Sequence, residues 1–541
     1  MTPDIIFLWV PLITFGIFAA RYMRVRAWQM AAWYGALMLV VLGWHLLELP
    51  QAVTVSVILW ILYAFVVPRL YAVTFGALLR RDFDKAFKSE RWLRLVMPVP
   101  SLARQRRLMQ AYGLIQTNQV EAGLDALEQI ANGTGKDAAS AAAQLHLIKG
   151  EYEQLVEIAA GPAGQADPSV RLMGIRGLAE IGRLSDAIEA YRLEANRFQA
   201  FTTPMDQAMT KLNLFTHAGD VEAAEQYLNG VLRILPDAER QLIAARAAYF
   251  ADGDWTVFNA TMERLRPNIG GAMTPRIEQW LAGGSQPRQT VSDEDREKLQ
   301  ALRQEQVNAR AYYQTRVSKP LAALAFMGLN VLIFLLTTSF GGEINIESGV
   351  LQDAIFVYPY IAETGEWYRL LTATFLHLNY LHVGFNMLAL ALFGFAVEKR
   401  IGHGRFITIY LLSGIGSMVA AVINYEMSEA TEPLLAMGAS GSIFGILGAV
   451  LAMAILTYRR TKLFQARQDV TAILMIVAIQ TVFDWTYLEG SSPLHLSGLI
   501  SGFVITMLIA PRDSLEPAPP PPSGEAPSGP PNPPAPPAQD R

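Results

Sequence analysis

The chain of 541 residues contains no cysteine and only seven histidines. The lack of cysteine excludes disulfides, thiol catalysis and cysteine metal sites, and it leaves the redox compartment undetermined. No HExxH sequence occurs, which excludes a zinc protease of that type. The net charge of −4 is small and by itself argues neither for nor against nucleic acid. We predict no metal, no cofactor and no nucleic-acid partner.

Apolar residues, by contrast, are abundant. They make up 52% of the chain, and the mean hydropathy is +0.24. The length exceeds what one domain usually holds. We therefore predict several domains, part of them embedded in a membrane. The first residues, Met1-Thr2-Pro3-Asp4, lack the basic region of a signal peptide, so the first apolar run is predicted to be a retained helix.

Residues 1–79 contain three apolar runs, at 5–20, 28–47 and 52–68, each predicted to be a transmembrane helix. Basic residues follow the first and third runs, whereas the loop after the second has none. Lys and Arg favour the cytoplasmic side of a membrane. The pattern therefore predicts an external N-terminus and a cytoplasmic domain after the third helix, in a bacterial cytoplasmic (inner) membrane.

Residues 80–290 have helical spacing and no run long enough to span a membrane. A glycine that would open a second amphipathic helix recurs roughly every 34 residues, at Gly150, Gly182, Gly219 and Gly253. This period resembles tetratricopeptide repeats, and it predicts a soluble α-helical repeat domain that could carry a protein partner. An irregular helical bundle is the alternative reading. No catalytic pattern occurs here.

A charged helical connector is predicted for residues 291–319, followed by six apolar runs within 320–511. Basic loops again alternate with loops that have none, in one consistent orientation. The total prediction is nine spans, with the repeat domain and the C-terminal tail cytoplasmic. The tail, 512–541, is dominated by proline and is predicted to be disordered. The six runs are 320–340, 370–397, 406–425, 433–458, 470–483 and 491–510.

Ser440 lies in the sequence Gly438-Ala439-Ser440-Gly441, near the start of the fourth of these six runs. One explanation is helix packing, because Gly441 and Gly445 have the GxxxG spacing that lets membrane helices approach closely. The other explanation is that Ser440 is a nucleophile. The segment alone does not decide between them.

Two other runs carry polar side chains, which are costly inside a membrane unless they are paired or hydrated. His382 and Asn386 are four residues apart and share one helix face. His495 lies on the same face as Gly498 and Gly502. All three polar runs start at the outer surface in the predicted topology. Whether His382 lies level with Ser440 depends on where the second helix begins, which the sequence leaves open.

These groups together could perform acyl transfer. A serine hydroxyl needs a base within hydrogen-bond reach, and His495 is the candidate. His382, Asn386 and the backbone N–H of Ser440 could donate to the oxyanion. No acidic residue lies near these positions in the second, fourth or sixth run. The sequence therefore predicts a Ser–His dyad and not a triad.

At this point residues 320–511 resemble the rhomboid family of intramembrane serine proteases. The resemblance implies a six-helix core with Ser440 as nucleophile, His495 as base, His382 and Asn386 as oxyanion donors, and a mostly structural role for His377. Two small departures occur: Leu494 precedes the histidine where the family usually has alanine, and Tyr368 separates Trp367 from Arg369. The matching motifs are Trp367-Tyr368-Arg369, His382-Val383-Gly384-Phe385-Asn386, Glu398-Lys399-Arg400-Ile401-Gly402, Gly438-Ala439-Ser440-Gly441, and His495 with Gly498 and Gly502.

The predicted fold class is thus all-α: a polytopic membrane protein with a six-helix rhomboid core, three further N-terminal transmembrane helices and a soluble repeat domain. The implied function is hydrolysis of a peptide bond in or beside a transmembrane segment of a substrate protein. Substrate entry between the second and fifth core helices is a family expectation. The alternatives are a rhomboid-like pseudoprotease that binds membrane proteins without cutting them, and a transporter or scaffold, although no inverted repeat is apparent.

Overall fold

The structure is a computed structural model. The first predicted span lies largely outside the residues that it describes, and the predicted tail lies wholly outside them. The described residues are 28–49, 51–80, 82–117, 119–134, 136–285, 288–338, 349–428, 432–487 and 491–510, with 11, 12, 14–16, 18, 19 and 23 near the N-terminus.

The chain divides into two compact units, Met1–Arg303 and Gln304–Arg541. The first unit opens with helices that contain few charged residues. Helix α1 is Trp28–Leu46. Helices α2 (Ala52–Ile61) and α3 (Val67–Leu79) are joined into one rod by a π-helical turn.

The rest of the first unit is an array of helices between residues 83 and 283. Gly150, Gly182, Gly219 and Gly253 adopt φ values of 75°, 84°, 69° and 84°, each at the turn between two helices. Left-handed backbone is readily adopted by glycine, which explains the regular glycine spacing. The identification of these helices as tetratricopeptide repeats stays a prediction. The helices are α4 Phe83–Val96, α5 Pro100–Gln116, α6 Val120–Ala131, α7 Lys136–Lys149, α8 Tyr152–Ala160, α9 Pro162–Ala166, α10 Pro168–Glu180, α11 Leu184–Phe201, α12 Pro204–His217, α13 Val221–Asn229, α14 Asp237–Asp252, α15 Trp255–Leu265 and α16 Thr274–Gly283.

The boundary between the units falls within the charged helix α17, Asp293–Tyr313. The second unit contains the main helices of the predicted core and several short elements at their ends. A π-helical turn, Leu390–Gly394, joins the helices Tyr380–Ala389 and Phe395–Ile401 into one continuous rod. The elements are α18 Leu321–Thr337, α19 Gly349–Ala354, β1 Phe356–Tyr358, α20 Tyr360–Thr364, α21 Arg369–Thr372, α22 Tyr380–Ala389, α23 Phe395–Ile401, α24 His403–Glu426, β2 Leu434–Ala436, α25 Ser440–Thr461, α26 Phe464–Tyr487 and α27 Ser491–Ile509.

Six helices within the described part of the chain are long and apolar enough to cross a membrane. Two lie in the first unit and four in the second. Helix α18 is apolar but has only 17 residues. Helix α26 has 24 residues and is not among the six. The protein is therefore an all-α polytopic membrane protein apart from one small sheet. The six are Trp28–Leu46, Thr54–Leu78, Tyr380–Ile401, His403–Glu426, Ser440–Thr461 and Ser492–Ile509.

The small sheet corrects one detail of the sequence prediction. Strands β1 and β2 pair antiparallel, with Val357 opposite Leu435. The start of the predicted fourth span, residues 433–439, is therefore not helical, and α25 begins only at Ser440. A three-residue apolar segment has the same composition in a strand as in a helix, so periodicity could not separate the two.

Helix α25 is the most enclosed membrane helix of the second unit. In its most apolar stretch 78% of the residues are buried, compared with 17–44% for the other five long apolar helices. It packs against α24, α26 and α27. Ile443 and Ile446 pack in the apolar cluster that contains Phe406, and Phe444 packs against apolar residues of α26 and α27. A helix sheltered in this way can present polar groups away from lipid.

Candidate active site

Ser440 is the first residue of α25 and follows a tight turn. Gly438 in this turn has φ +122°, a conformation that other residues rarely adopt, and its N–H donates to the carbonyl of Ala373 at 3.0 Å. A side chain on Gly438 would also lie 2.8 Å from the imidazole of His382. Position 438 therefore requires glycine, because other residues rarely adopt this φ and because a side chain would collide with His382.

The position of Ser440 at a helix start has an electrostatic consequence. The first N–H groups of a helix have no carbonyl partner within that helix, and the helix dipole makes this end partly positive. An anion that forms beside Ser440 would meet this end of α25. The sequence prediction placed the serine several residues inside its helix and did not anticipate this feature.

His495 lies near the N-terminal end of α27 and faces Ser440. Its Nε2 is 2.9 Å from the Ser440 Oγ, which is hydrogen-bond distance. The ring of Phe444 stacks on the imidazole with centroids 4.6 Å apart and an interplanar angle of 7°. His495 is 8% exposed. The predicted pair is thus brought together, and the phenyl ring restricts the orientation of the imidazole.

Glycines on α25 and α27 make this approach sterically feasible. A Cβ on Gly498 would overlap the backbone of Gly441, and one on Gly502 would overlap the backbone of Gly445. A Cβ on Gly448 would overlap the backbone of α27 at Leu499. The two helices therefore touch through their main chains, as small-residue seams allow.

His382 reaches the same region from α22. This helix begins at Tyr380, and the side chain of Asn379 caps it by accepting from the His382 N–H at 2.9 Å. His382 therefore lies in the first turn of its helix, as Ser440 does. Of the two arrangements that the sequence left open, the structure has the one in which the segment before Tyr380 is not part of the long helix.

Asn386 points its amide toward the serine turn. Its Nδ2 would be 3.8 Å from a Cβ on Gly438, and this buried nitrogen has no hydrogen-bond partner among the described residues. An unpaired donor in a buried position is costly unless a ligand or water uses it. The geometry thus leaves one amide donor aimed at the site.

His377 is fully buried and packs against the imidazole of His382. Its Nδ1 is 3.3 Å from the carbonyl oxygen of Phe375. The two imidazoles meet edge to face, with centroids 5.0 Å apart. This contact fits the structural role that the resemblance implies for His377.

Asp484 is the residue that sequence reasoning missed. Its Oδ2 is 2.5 Å from the Nδ1 of His495, on the side of the ring away from Ser440. The sequence predicted a Ser–His dyad because no acidic residue lies near these positions in the second, fourth or sixth core helix, whereas Asp484 comes from α26, the fifth. The signal in the sequence was an aspartate directly after the apolar run 470–483.

Two other motif residues stabilise the backbone around the site through hydrogen bonds. Arg369 donates to the carbonyls of Gln352 and Ile355 and pairs with Glu366, which ties the segment before α22 together. The buried Glu398 accepts from the N–H groups of Ala322 and Ala323 at 2.8 and 2.7 Å. This carboxylate caps the start of α18.

No group of three histidine, aspartate or glutamate side chains in the described ranges is arranged as metal ligands would be. The site instead contains a hydroxyl in contact with an imidazole and, beside them, an unpaired amide donor and a helix N-terminus. These are the parts that nucleophilic acyl transfer requires. The half-buried Ser440 is open enough for a reacting carbonyl to approach.

Comparisons with known proteins agree with this chemistry. Residues 364–512 match the rhomboid domain. The rhomboid protease GluP of Bacillus subtilis (strain 168) is 37% identical over 189 residues, which cover 34% of this chain and 34% of the relative. The putative rhomboid protease YdcA of the same organism is 31% identical over 159 residues, covering 29% of this chain and 74% of the relative. The rhomboid protease AarA of Providencia stuartii is 27% identical over 199 residues, covering 34% of this chain and 70% of the relative.

The match to the rhomboid domain lies entirely within the second half of the chain. The chain spans only about a third of the length of GluP but about three quarters of that of YdcA. The matched domain includes the serine turn, the histidine on α27 and the polar pair on α22. Motif order, helix arrangement and similarity along most of YdcA agree, and this chain belongs to the rhomboid family.

Proposed function

We propose that the protein is an intramembrane serine endopeptidase, with Ser440 as nucleophile and His495 as general base. The observation that carries the proposal is the 2.9 Å contact between the Ser440 Oγ and the His495 Nε2 at the N-terminus of a buried membrane helix. A hydroxyl becomes a useful nucleophile only when a base accepts its proton.

In the first step, the Ser440 Oγ attacks the carbonyl carbon of a substrate peptide bond while its proton passes to the His495 Nε2. The carbonyl oxygen becomes an oxyanion. The unpaired Nδ2 of Asn386, the imidazole of His382 and the N–H of Ser440 would donate to it. Collapse breaks the C–N bond, and the proton on His495 moves to the leaving amine.

A water molecule completes the reaction by the same route. His495 removes a proton from the water as its oxygen attacks the acyl-enzyme carbonyl. Collapse of this second oxyanion releases the new carboxyl end and returns the proton to the Ser440 Oγ. Because carbonyls inside a helix are hydrogen-bonded, the substrate helix must unwind locally before Ser440 can reach one.

The substrate class that this site suits is a transmembrane protein cut in or beside its membrane segment. The loop charges favour a topology with the N-terminus outside and the repeat domain cytoplasmic. The membrane is proposed to be a bacterial inner membrane. The repeat domain is proposed to recruit or regulate through a bound protein partner. The alternative, a pseudoprotease, would retain the fold without a reactive serine.

The deciding experiment compares the full-length wild type with Ser440→Ala in proteoliposomes that contain a single-span model substrate. We expect cleavage and fluorophosphonate labelling in the wild type, and neither in Ser440→Ala. Ser442→Ala is the matched control, because Ser442 is buried two residues further along α25, its Oγ has no hydrogen-bond partner among the described residues, and it lies against Gly414 of α24. Undiminished cleavage by Ser440→Ala, or a wild type that neither cuts nor labels, would refute the proposal.

A further inference from the structure

We propose that Asp484 is a positioning residue that fixes the tautomer and orientation of His495 and so completes a Ser–His–Asp relay in this chain. This inference rests on the proposed function, since it concerns how His495 is oriented and which of its nitrogens carries the proton when it acts as the base. It goes beyond the serine–histidine pair by adding a carboxylate from α26.

The three side chains form one continuous hydrogen-bonded line. Oγ of Ser440 is 2.9 Å from Nε2 of His495, and Nδ1 of the same ring is 2.5 Å from Oδ2 of Asp484. The two ring nitrogens therefore have different partners. With the carboxylate ionised, Nδ1 must carry the proton, which leaves Nε2 free to accept from the serine.

A second contact holds the carboxylate itself. The amide Nε2 of Gln480, one turn earlier on α26, donates to the Asp484 Oδ1 at 2.8 Å. Each carboxylate oxygen is therefore used, one by the histidine and one by the glutamine. Asp484 is only 1% exposed, so its rotamer is confined by packing as well as by these bonds.

The burial of Asp484 has an energetic cost that its contact with His495 must offset. An ionisable group inside a membrane protein costs free energy unless a specific partner compensates for it. The same helix could present an apolar residue at this position at lower cost. What the carboxylate supplies is stabilisation of the imidazolium, which exists only while the serine proton resides on Nε2. The carboxylate accepts the Nδ1 hydrogen bond throughout and takes no proton itself.

The test uses full-length Asp484→Asn in proteoliposomes. Asparagine has the same shape, but its amide group can donate to Nδ1 and so favour the tautomer in which Nε2 is already protonated. Asp484→Glu restores the charge. Asp469→Asn is the matched control, since Asp469 lies on the same helix. Its carboxylate accepts a hydrogen bond from the hydroxyl of Tyr312, a residue that is distant in sequence from Ser440 and His495.

We expect Asp484→Asn to lower kcat by about 10²- to 10⁴-fold with KM and thermal stability unchanged, by analogy with the loss of the triad aspartate in serine proteases. Asp484→Glu should recover part of this loss. Asp469→Asn should retain the wild-type kcat. The rate of Ser440 labelling by a small fluorophosphonate should fall in parallel with kcat, because that reaction also needs the serine proton to leave.

Three results would overturn the proposal. The first is a wild-type kcat in Asp484→Asn. The second is a loss confined to KM or accompanied by unfolding. The third is slow cleavage of the membrane substrate with undiminished fluorophosphonate labelling, which would assign Asp484 to substrate entry. All three leave the wild-type, Ser440-dependent cleavage intact, so they are distinct from failure of the proposed function, in which the wild type itself is inactive.

Discussion

Gly445 and Gly502 bring the backbones of α25 and α27 into direct contact. The carbonyl of Gly445 occupies the space in which a side chain on Gly502 would begin. Gly441 and Gly498 repeat this relationship one turn closer to Ser440 and His495. The packing explanation and the catalytic explanation of the glycine-rich segment are therefore compatible, because the close helix contact is what allows the serine and the histidine to meet.

Gly502→Ala should separate these helices. Overpacking a close contact typically costs about 1–3 kcal/mol, and a displacement of about 1 Å between reacting groups can lower a rate about 10²-fold. We expect a lower melting temperature in detergent and a lower kcat. Gly328→Ala is the matched control, because a Cβ on this α18 residue has no atom within 4 Å. Equal stability and activity of the two variants would contradict the close packing described here.

Asn386→Ala should remove an oxyanion donor. Loss of one such donor typically lowers kcat by about 10²- to 10³-fold, and the fold should survive because the Nδ2 has no partner among the described residues. KM should change little. The measurement is steady-state cleavage in proteoliposomes, with Gly384→Ala on the same helix as the control, since its Cβ would enter open space. Wild-type kcat in Asn386→Ala would exclude the amide from the oxyanion site.

The buried carboxylate of Glu180 should stabilise the helical array of the first unit. Its oxygens lie 2.6 Å from Arg246 and 2.7 Å from Arg276, with His217 at 3.5 Å. Burial by itself would raise the pKa of Glu180, but the charges of Arg246, His217 and Arg276 outweigh it and hold the pKa well below its usual value. Removing one partner of a buried ion pair typically costs about 3–5 kcal/mol.

Glu180→Gln should therefore increase hydrogen exchange in α10, α14 and α16 of the full-length protein. Because the folded pKa is lowered, the stabilisation by Glu180 is complete above the ordinary pKa of 4.5 and is lost as the pH falls through the lowered value. The variant should lack this part of the acid dependence. Glu278→Gln is the control, since its partner Arg266 is also exposed and such pairs contribute about 0–1 kcal/mol. Identical exchange in both variants would contradict the prediction.

The absence of native cysteine makes the predicted topology directly testable. Glu363→Cys and Leu193→Cys place one thiol on an exposed position of each unit. A membrane-impermeant maleimide should label Glu363→Cys in intact spheroplasts of an expression host. It should label Leu193→Cys only after lysis, because the loop charges predict that the helical array of the first unit is cytoplasmic. The opposite labelling pattern would reverse the orientation.

Sequence reasoning found those parts of the site that lie within local motifs. Ser440 and His495 could be predicted because they are polar side chains in apolar runs of one orientation, and because the motifs around them resemble those of the rhomboid family. The level of His382 could not be predicted, since it depends on the cap formed by Asn379, and a capped start inside an apolar region has no periodicity signal.

Asp484 was missed for a different reason. It lies eleven positions before His495 and on another helix, so only tertiary packing reveals that its carboxylate meets the imidazole. In the sequence it marks the end of a short apolar run and looks like a boundary residue. The strand at residues 434–436 was missed because its partner lies far away along the chain, and pairing between distant segments is invisible in a local pattern.

The order of the helices has a consequence for biosynthesis. The serine lies on α25, the carboxylate on α26 and the imidazole on α27, so the ribosome makes the proposed nucleophile first and its base last. A nascent chain that has inserted α25 but not α27 carries an unactivated hydroxyl. Under the proposed chemistry, the growing protein cannot cut neighbouring membrane proteins until its last core helix has packed into place.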